Sequence, residues 1–352
     1  MNVVIEKNTN PKINQINFNE IQFGEIFSDH MFVCDYKNNK WNTPKIVPYQ
    51  DLLISPSANG LHYGQAVFEG MKAYKDAKNK IWLFRPKENW ARLNKSCERL
   101  EISLIPENIF IDGIKTLVSI DSKWVQPGKG NSLYIRPFVF ANQNCIQASP
   151  SKEFKFLIIC TPAKSYYNEE QDFNVLIAEK YSRAASGGVG YAKAAGNYAA
   201  SFYPTKLAQN KGFDQIIWTD ANSHQYIEEA GTMNIFVRIN NSLITSPTND
   251  RILDGITRKS IIQIAKDKGI NVEIRPIKVK ELIDSFNDGT LKELFGAGTA
   301  VVVCPITSFG YKEKKYKLPF IKESYANILK DALTSIQYNS TKDPHNWRVS
   351  VE

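Results

Sequence analysis

Residues 186–198 read SGGVGYAKAAGNY, and seven of these thirteen are glycine or alanine. So small a run lets the backbone pass close to something flat or to another backbone. One long reactive side chain, Lys193, stands in its middle. Its neighbours Ala192, Ala194 and Ala195 bring neither bulk nor counter-charge. The amine is therefore read as desolvated, which disfavours the ammonium form, as an amine that condenses with a carbonyl requires. A solvated lysine beside a glycine turn fits the same stretch, and the rest of the chain has to decide.

At 352 residues the chain is too long for one ordinary core, and two domains are expected. The net charge is +8, but the lysines are scattered and no block of five like charges appears. The nearest approach, KEKKYK at 312–317, is interrupted by Glu313 and reads as an exposed hairpin turn. A nucleic-acid partner is not expected. Five cysteines and four histidines are dispersed without metal-ligand spacing, so no metal is expected. Unpaired thiols fit a reducing compartment. The N-terminus has no apolar leader and no run reaches membrane-spanning length. A cytoplasmic protein is the simplest expectation.

Residues 1–20 are polar and read as a loosely held arm. The segment 60–74, GLHYGQAVFEGMKAY, alternates glycines with aromatics and would expose Tyr63 and Phe68. Arg85-Pro86 opens a helix whose buried stripe would be Trp90, Leu93, Cys97 and Leu100, with Arg92 off the stripe. SLYIRPFVFA at 132–141 reads as a strand with Tyr134, Arg136, Phe138 and Phe140 on one face. A guanidinium among aromatics needs an anion, either an internal carboxylate or a ligand. Residues 163–172 are polar, lack apolar periodicity and mark the linker. The expected division is a domain over 1–165, a linker over 166–174 and a domain over 175–352 that carries Lys193. Further on, a helix is expected over 203–211, a strand pair over 226–237 and a helix over 254–269. Another strand runs into a glycine turn at 291–300, and a final amphipathic helix covers 322–336.

A phosphate-bearing cofactor would use a helix N-terminus, here the N–H groups of Ile256 and Thr257. The GAGT turn at 296–299 could add a backbone nest and the Thr299 hydroxyl, and Arg92 a full counter-charge. Neither glycine pattern matches a dinucleotide fingerprint or a Walker loop. In IEEAG at 227–231, Glu228 and Glu229 point to opposite faces of a strand. One would be solvated, and the other could face a pyridine nitrogen and keep it protonated.

Taken in order, YGQAVFEGMKAY, SLYIRPFVF, GGVGYAKAAGNY, EEAGTMNIFV, LDGITRKS and GAGTA resemble the motifs of branched-chain amino acid aminotransferases. These are pyridoxal phosphate enzymes of fold type IV. The likeness runs from about Phe23 to Pro305 and continues weakly beyond. It implies an α/β (α+β) protein with a smaller N-terminal α/β domain and a larger C-terminal pseudo-barrel. Lys193 would carry pyridoxal 5'-phosphate and move the proton at the substrate's Cα. Glu229 would pair with the pyridine nitrogen, and Tyr198 with the phenolic oxygen. Arg92, the N–H groups of Ile256 and Thr257, and Thr299 would hold the phosphate. Tyr63 and the N–H of Ala300 would take the substrate's α-carboxylate. Phe23, Phe68 and Tyr134 would wall an apolar pocket, where Arg136 with Tyr134 binds the distal carboxylate of glutamate or 2-oxoglutarate.

The resemblance further implies a homodimer that transfers amino groups from leucine, isoleucine or valine to 2-oxoglutarate. Animal members carry a CxxC after the glycine turn, whereas this chain has VVVC at 301–304, so no thiol switch is expected. Tyr191 and Ala192 also differ from the animal pattern of Asn-Tyr. Rival readings are another fold-type-IV enzyme, such as a D-amino acid aminotransferase or an aminodeoxychorismate lyase, and a non-catalytic binding protein. The FEGMKAY segment and the tyrosine–arginine strand argue against the first, and the lack of clustered basic residues against the second.

Overall fold

Hydrophobic strands alternate with amphipathic helices along the whole chain, and they assemble into two sheets with seven α-helices among the described residues. The structure is a computed structural model that describes residues 2–164 and 172–352. The expected linker therefore lies mostly, over 166–171, outside the described residues. The helices are α1 (Asn59–Tyr63), α2 (Pro86–Arg99), α3 (Glu107–Ile120), α4 (Ala195–Asn210), α5 (Ile256–Asp267), α6 (Val279–Asn287) and α7 (Tyr325–Gln337).

Two compact units result. The first comprises Met1–Tyr166, Ala192–Gly196 and Ser335–Glu352, so the residues around Lys193 pack with it. Its ten-stranded sheet runs Val4–Ile5, Lys45–Pro48, His30–Lys37, Phe154–Ala163, Ser132–Ala141, Met71–Lys75, Ile81–Phe84 and Arg348–Ser350, with two short strands off this path. Ser132–Ala141 and Phe154–Ala163 pair antiparallel over their full ten residues. On α3, Phe110, Ile114, Leu117 and Val118 are wholly buried. Phe110 stacks on Phe156, and Gly113 leaves room for the Phe32 ring, which a β-carbon would meet at 2.8 Å. This close packing is what a one-methyl change would disturb.

Against expectation, the N-terminal arm is tied down. Val4–Ile5 pairs in parallel with Lys45–Ile46, Asn8 N–H donates to His30 Nε2, and Lys12 N–H donates to Asp29. The stripe on α2 also differs from the expected one. Pro86, Asn89, Leu93, Ser96 and Cys97 are buried, while Trp90 and Leu100 are only half-buried. Two polar residues thus face inward, for a reason given below.

The second unit comprises Tyr167–Tyr191 and Asn197–Thr334. Eleven strands form its sheet. Tyr226–Ala230 and Met233–Ile239 make the expected antiparallel pair, turning at Gly231, whose φ of +57° suits a residue without a β-carbon. Met233–Ile239 also pairs with Leu291–Gly298, which turns back into Val302–Ile306. Ile235, Val237, Ile244, Ile277, Leu282, Leu294 and Phe309 fill the core on that sheet. The helix expected over 203–211 begins earlier, at Ala195, because its first turns are alanine-rich and tolerate Gly196. The 312–317 run is indeed a hairpin, turning at Lys312 and Glu313, both with positive φ.

Candidate active site

In the first unit the lysine segment is stitched down from both sides. Lys193 N–H donates to Ser96 Oγ on α2 at 2.9 Å, and its carbonyl accepts from Phe68 N–H at 3.1 Å. Val67 and Ala194 form an isolated antiparallel bridge beside it. That explains the small residues here: the stretch runs alongside another strand. The half-buried Lys193 side chain lays its Nζ 4.7 Å from the centroid of Phe68. Arg136 stands 4.5 Å from the Phe68 centroid and donates from Nη2 to Tyr134 Oη at 3.0 Å. Phe23, 40% exposed, meets Tyr134 edge-on at 5.0 Å. Phe23, Tyr134, Arg136, Phe68 and Lys193 are thus one continuous set of contacts. Among the described residues Arg136 meets no carboxylate, and its buried Nε has no partner. The internal ion pair left open by the sequence is absent there.

The notion of a lysine without counter-charge needs correcting. Glu69, fully buried, pairs with Arg92 at 2.7 Å and senses the charge of Lys193. Burial alone would raise its carboxyl, but the Arg92 charge and hydrogen bond, the Lys193 charge and the Asn89 amide together hold it below the usual carboxylate range. Sequence neighbours could not reveal this, because the anion comes from a residue far upstream. Asn89 and Ser96, the inward polar residues of α2, serve this cluster and went unmarked in the sequence; their recurrence at i and i+7 beside Arg92 was the available signal. Tyr63, 48% exposed, donates its hydroxyl proton to the Ile146 carbonyl.

In the second unit Glu228 and Glu229 are both 4% exposed, so neither is solvated. Each has found an arginine instead. Glu228 pairs with Arg251, yet burial still pushes its carboxyl upward. Glu229 pairs with Arg183 Nε at 2.7 Å and accepts from Asn234 Nδ2 and Leu253 N–H, both at 3.1 Å. Asn234 stands opposite Ala297 on the neighbouring strand and donates to the Leu253 carbonyl. The carboxylate, the strand leading to Thr299 and Ala300, and the approach to α5 are therefore linked through one amide. The α5 N-terminus carries no side-chain cap and no acidic residue in its first turn. Arg258, buried in that turn, has an unpartnered Nε. The uncapped N–H groups of this helix start fit a phosphate, while the Arg258 guanidinium donates to the Ser246 carbonyl. Ile256 and Thr257 are buried there, while Thr299, Ala300 and Tyr198 are half-buried.

A family model for class IV aminotransferases matches residues 66–309. The chain belongs to the class IV aminotransferases, in their branched-chain-amino-acid branch. The aminotransferase is 44% identical to a probable branched-chain-amino-acid aminotransferase of Staphylococcus aureus strain N315, over 95% of this chain and 94% of that one. It is 42% identical to branched-chain-amino-acid aminotransferase 2 of Bacillus subtilis strain 168, over 95% and 93%. Among solved structures, the branched-chain aminotransferase of Thermoproteus uzoniensis with norvaline superposes with a TM-score of 0.76 at 23% identity, covering 92% of this chain and 100% of that one. The branched-chain amino acid aminotransferase of Thermobaculum terrenum, in its pyridoxal-phosphate form, does so at 0.72 and 20%, covering 92% and 98%. The fold is therefore type IV, and the aminotransferase is a pyridoxal-phosphate-dependent transaminase. No helix of the described residues is long and apolar enough to cross a membrane.

Proposed function

We propose that the enzyme reversibly transfers the amino group of L-leucine, L-isoleucine or L-valine to 2-oxoglutarate, giving L-glutamate and the branched-chain 2-oxo acids, as a cytoplasmic homodimer. The observation that supports this is the contact set Phe23, Tyr134, Arg136, Phe68 and Lys193. A pocket serving both half-reactions must receive an aliphatic side chain and, in turn, a carboxylate. Aromatic walls bury the first, and a guanidinium with an unpartnered buried N–H grips the second.

When bound, the pyridoxal phosphate supplies an electron sink for the negative charge that develops at the substrate's Cα. In this reading Lys193 Nζ would hold the cofactor between turnovers and, once freed from it, would carry the proton between the substrate's Cα and the cofactor's C4′. Glu229, paired with Arg183, holds the proton on the ring nitrogen, and Tyr198 donates to the phenolic oxygen. Arg92, the N–H groups of Ile256 and Thr257, and Thr299 hold the phosphate. Tyr63 and the Ala300 N–H orient the α-carboxylate.

Borohydride reduction of the purified protein with pyridoxal phosphate, followed by peptide mass analysis, is expected to place the phosphopyridoxyl group on Lys193. Amino transfer is expected from L-leucine, L-isoleucine and L-valine and not from D-alanine, and aminodeoxychorismate should not be consumed. A label on another lysine overturns the site. A preference for D-alanine overturns the substrate assignment.

A further inference from the structure

Glu69 is a fully buried carboxylate of the first unit that accepts four hydrogen bonds. Its Oε1 accepts from Arg92 Nε at 2.7 Å. Its Oε2 accepts from Arg92 Nη2 at 3.0 Å, Asn89 Nδ2 at 2.7 Å and Gly70 N–H at 3.1 Å. A carboxylate offers about four acceptor sites. Four hydrogen bonds reach it and the side chain is fully buried, so no substrate reaches it. Whatever Glu69 does, it does through the groups it holds. A buried ion pair adds little net stability over apolar packing, so stability alone gives no reason for one here. Orientation does. A bidentate grip on the Nε–Nη2 edge fixes both the plane of the Arg92 guanidinium and the direction of its opposite edge. The helix turn bearing Arg92 is tied to the lysine as well, since Ser96 Oγ donates to the Arg92 carbonyl at 3.0 Å and accepts from Lys193 N–H. Gly70, whose N–H reaches Glu69, also leaves room for Tyr134 Oη, which a β-carbon there would meet at 2.0 Å.

We propose that Glu69 is a positioning residue of this enzyme, an internal anion that aims the Arg92 guanidinium at the cofactor's phosphate and keeps it in register with Lys193. The proposal rests on the reading of Arg92 and Lys193 given above. It separates phosphate recognition from ring recognition, which makes it testable with two ligands, pyridoxal phosphate and pyridoxal.

In Glu69→Gln the dissociation constant for pyridoxal phosphate is expected to rise about tenfold to a hundredfold, the range for one charged hydrogen-bonded partner, with little change for pyridoxal. In an Arg92→Gln background the same substitution should add no more than about twofold, because the pair acts as a unit. Glu69→Asp, which keeps the charge on a shorter arm, should fall between wild type and Glu69→Gln. It carries the measurement if the glutamine variant does not fold. An unchanged preference for pyridoxal phosphate over pyridoxal in either variant overturns the proposal. So does equal weakening of both ligands, or full additivity with Arg92→Gln. If the wild type itself forms no borohydride-stable adduct on Lys193, the underlying reading fails. If the adduct forms and the preference is unmoved, the role of Glu69 alone fails.

Discussion

A guanidinium with a buried, unpartnered N–H is an expensive group to keep, because desolvation is compensated only when hydrogen bonds are complete. Among the described residues the Arg136 guanidinium touches two aromatic faces and one hydroxyl and meets no carboxylate. The anion it lacks is the one a dicarboxylic substrate would bring. Arg136→Met is expected to raise KM for 2-oxoglutarate and glutamate by roughly ten- to a hundredfold, the loss of one charge-assisted contact, while KM for leucine moves little. Steady-state kinetics with each amino donor and acceptor checks this, and equal losses for leucine and glutamate would remove the assignment. Arg136 was legible in the sequence because an arginine on an aromatic strand face is conspicuous. Glu69 was not, because a glutamate between Phe68 and Gly70 looks like any turn carboxylate until Arg92 and Asn89 are brought to it.

Elements tell a similar story. Long periodic stretches such as 132–141 and 254–269 fold close to where the pattern puts them. The start of α4 was missed because Gly196 reads as loop, and α3 drew no notice although Phe110, Ile114, Leu117 and Val118 recur at helical spacing. The join between Met233–Ile239 and α5 has no local signal at all, because it rests on the Asn234 side chain. Gly255, the N-cap of α5, lies so close that a β-carbon there would meet Asn234 Oδ1 at 1.9 Å. Gly255→Ala should therefore displace the amide that steadies Glu229, at about 1–3 kcal/mol of stability as for other overpacked sites. Urea unfolding reads the stability, and cofactor absorbance reads the accompanying loss of retention. A variant that matched the wild type in both would show that the turn can yield without consequence.

Across the whole molecule the five cysteines are all unpaired, and four of them are buried. Burial pushes the thiols of Cys34, Cys97 and Cys304 up to about 12, and it raises that of Cys160 well above the usual thiol range. Since the thiolate is the reactive form, iodoacetamide near neutral pH should label at most Cys145 in the native protein and the other four only after unfolding. Mass analysis of intact protein decides it, and rapid labelling of Cys304 would show that the 301–304 stretch opens in solution. The chain forms two compact units, and the membership of the first was not legible in the sequence. Sequence order places Lys193 and the last eighteen residues far from the strands they join.

That membership carries a consequence for how the protein is made. The partners of the Lys193 backbone, Phe68 and Ser96, leave the ribosome long before residue 193, whereas Arg348–Ser350, which closes the edge of Ile81–Phe84, follows well after it. The lysine is thus synthesised onto a half-built scaffold whose outer border stays unpaired until Arg348–Ser350 has been made, and a nascent chain stalled short of Arg348 would expose that border to neighbouring polypeptides.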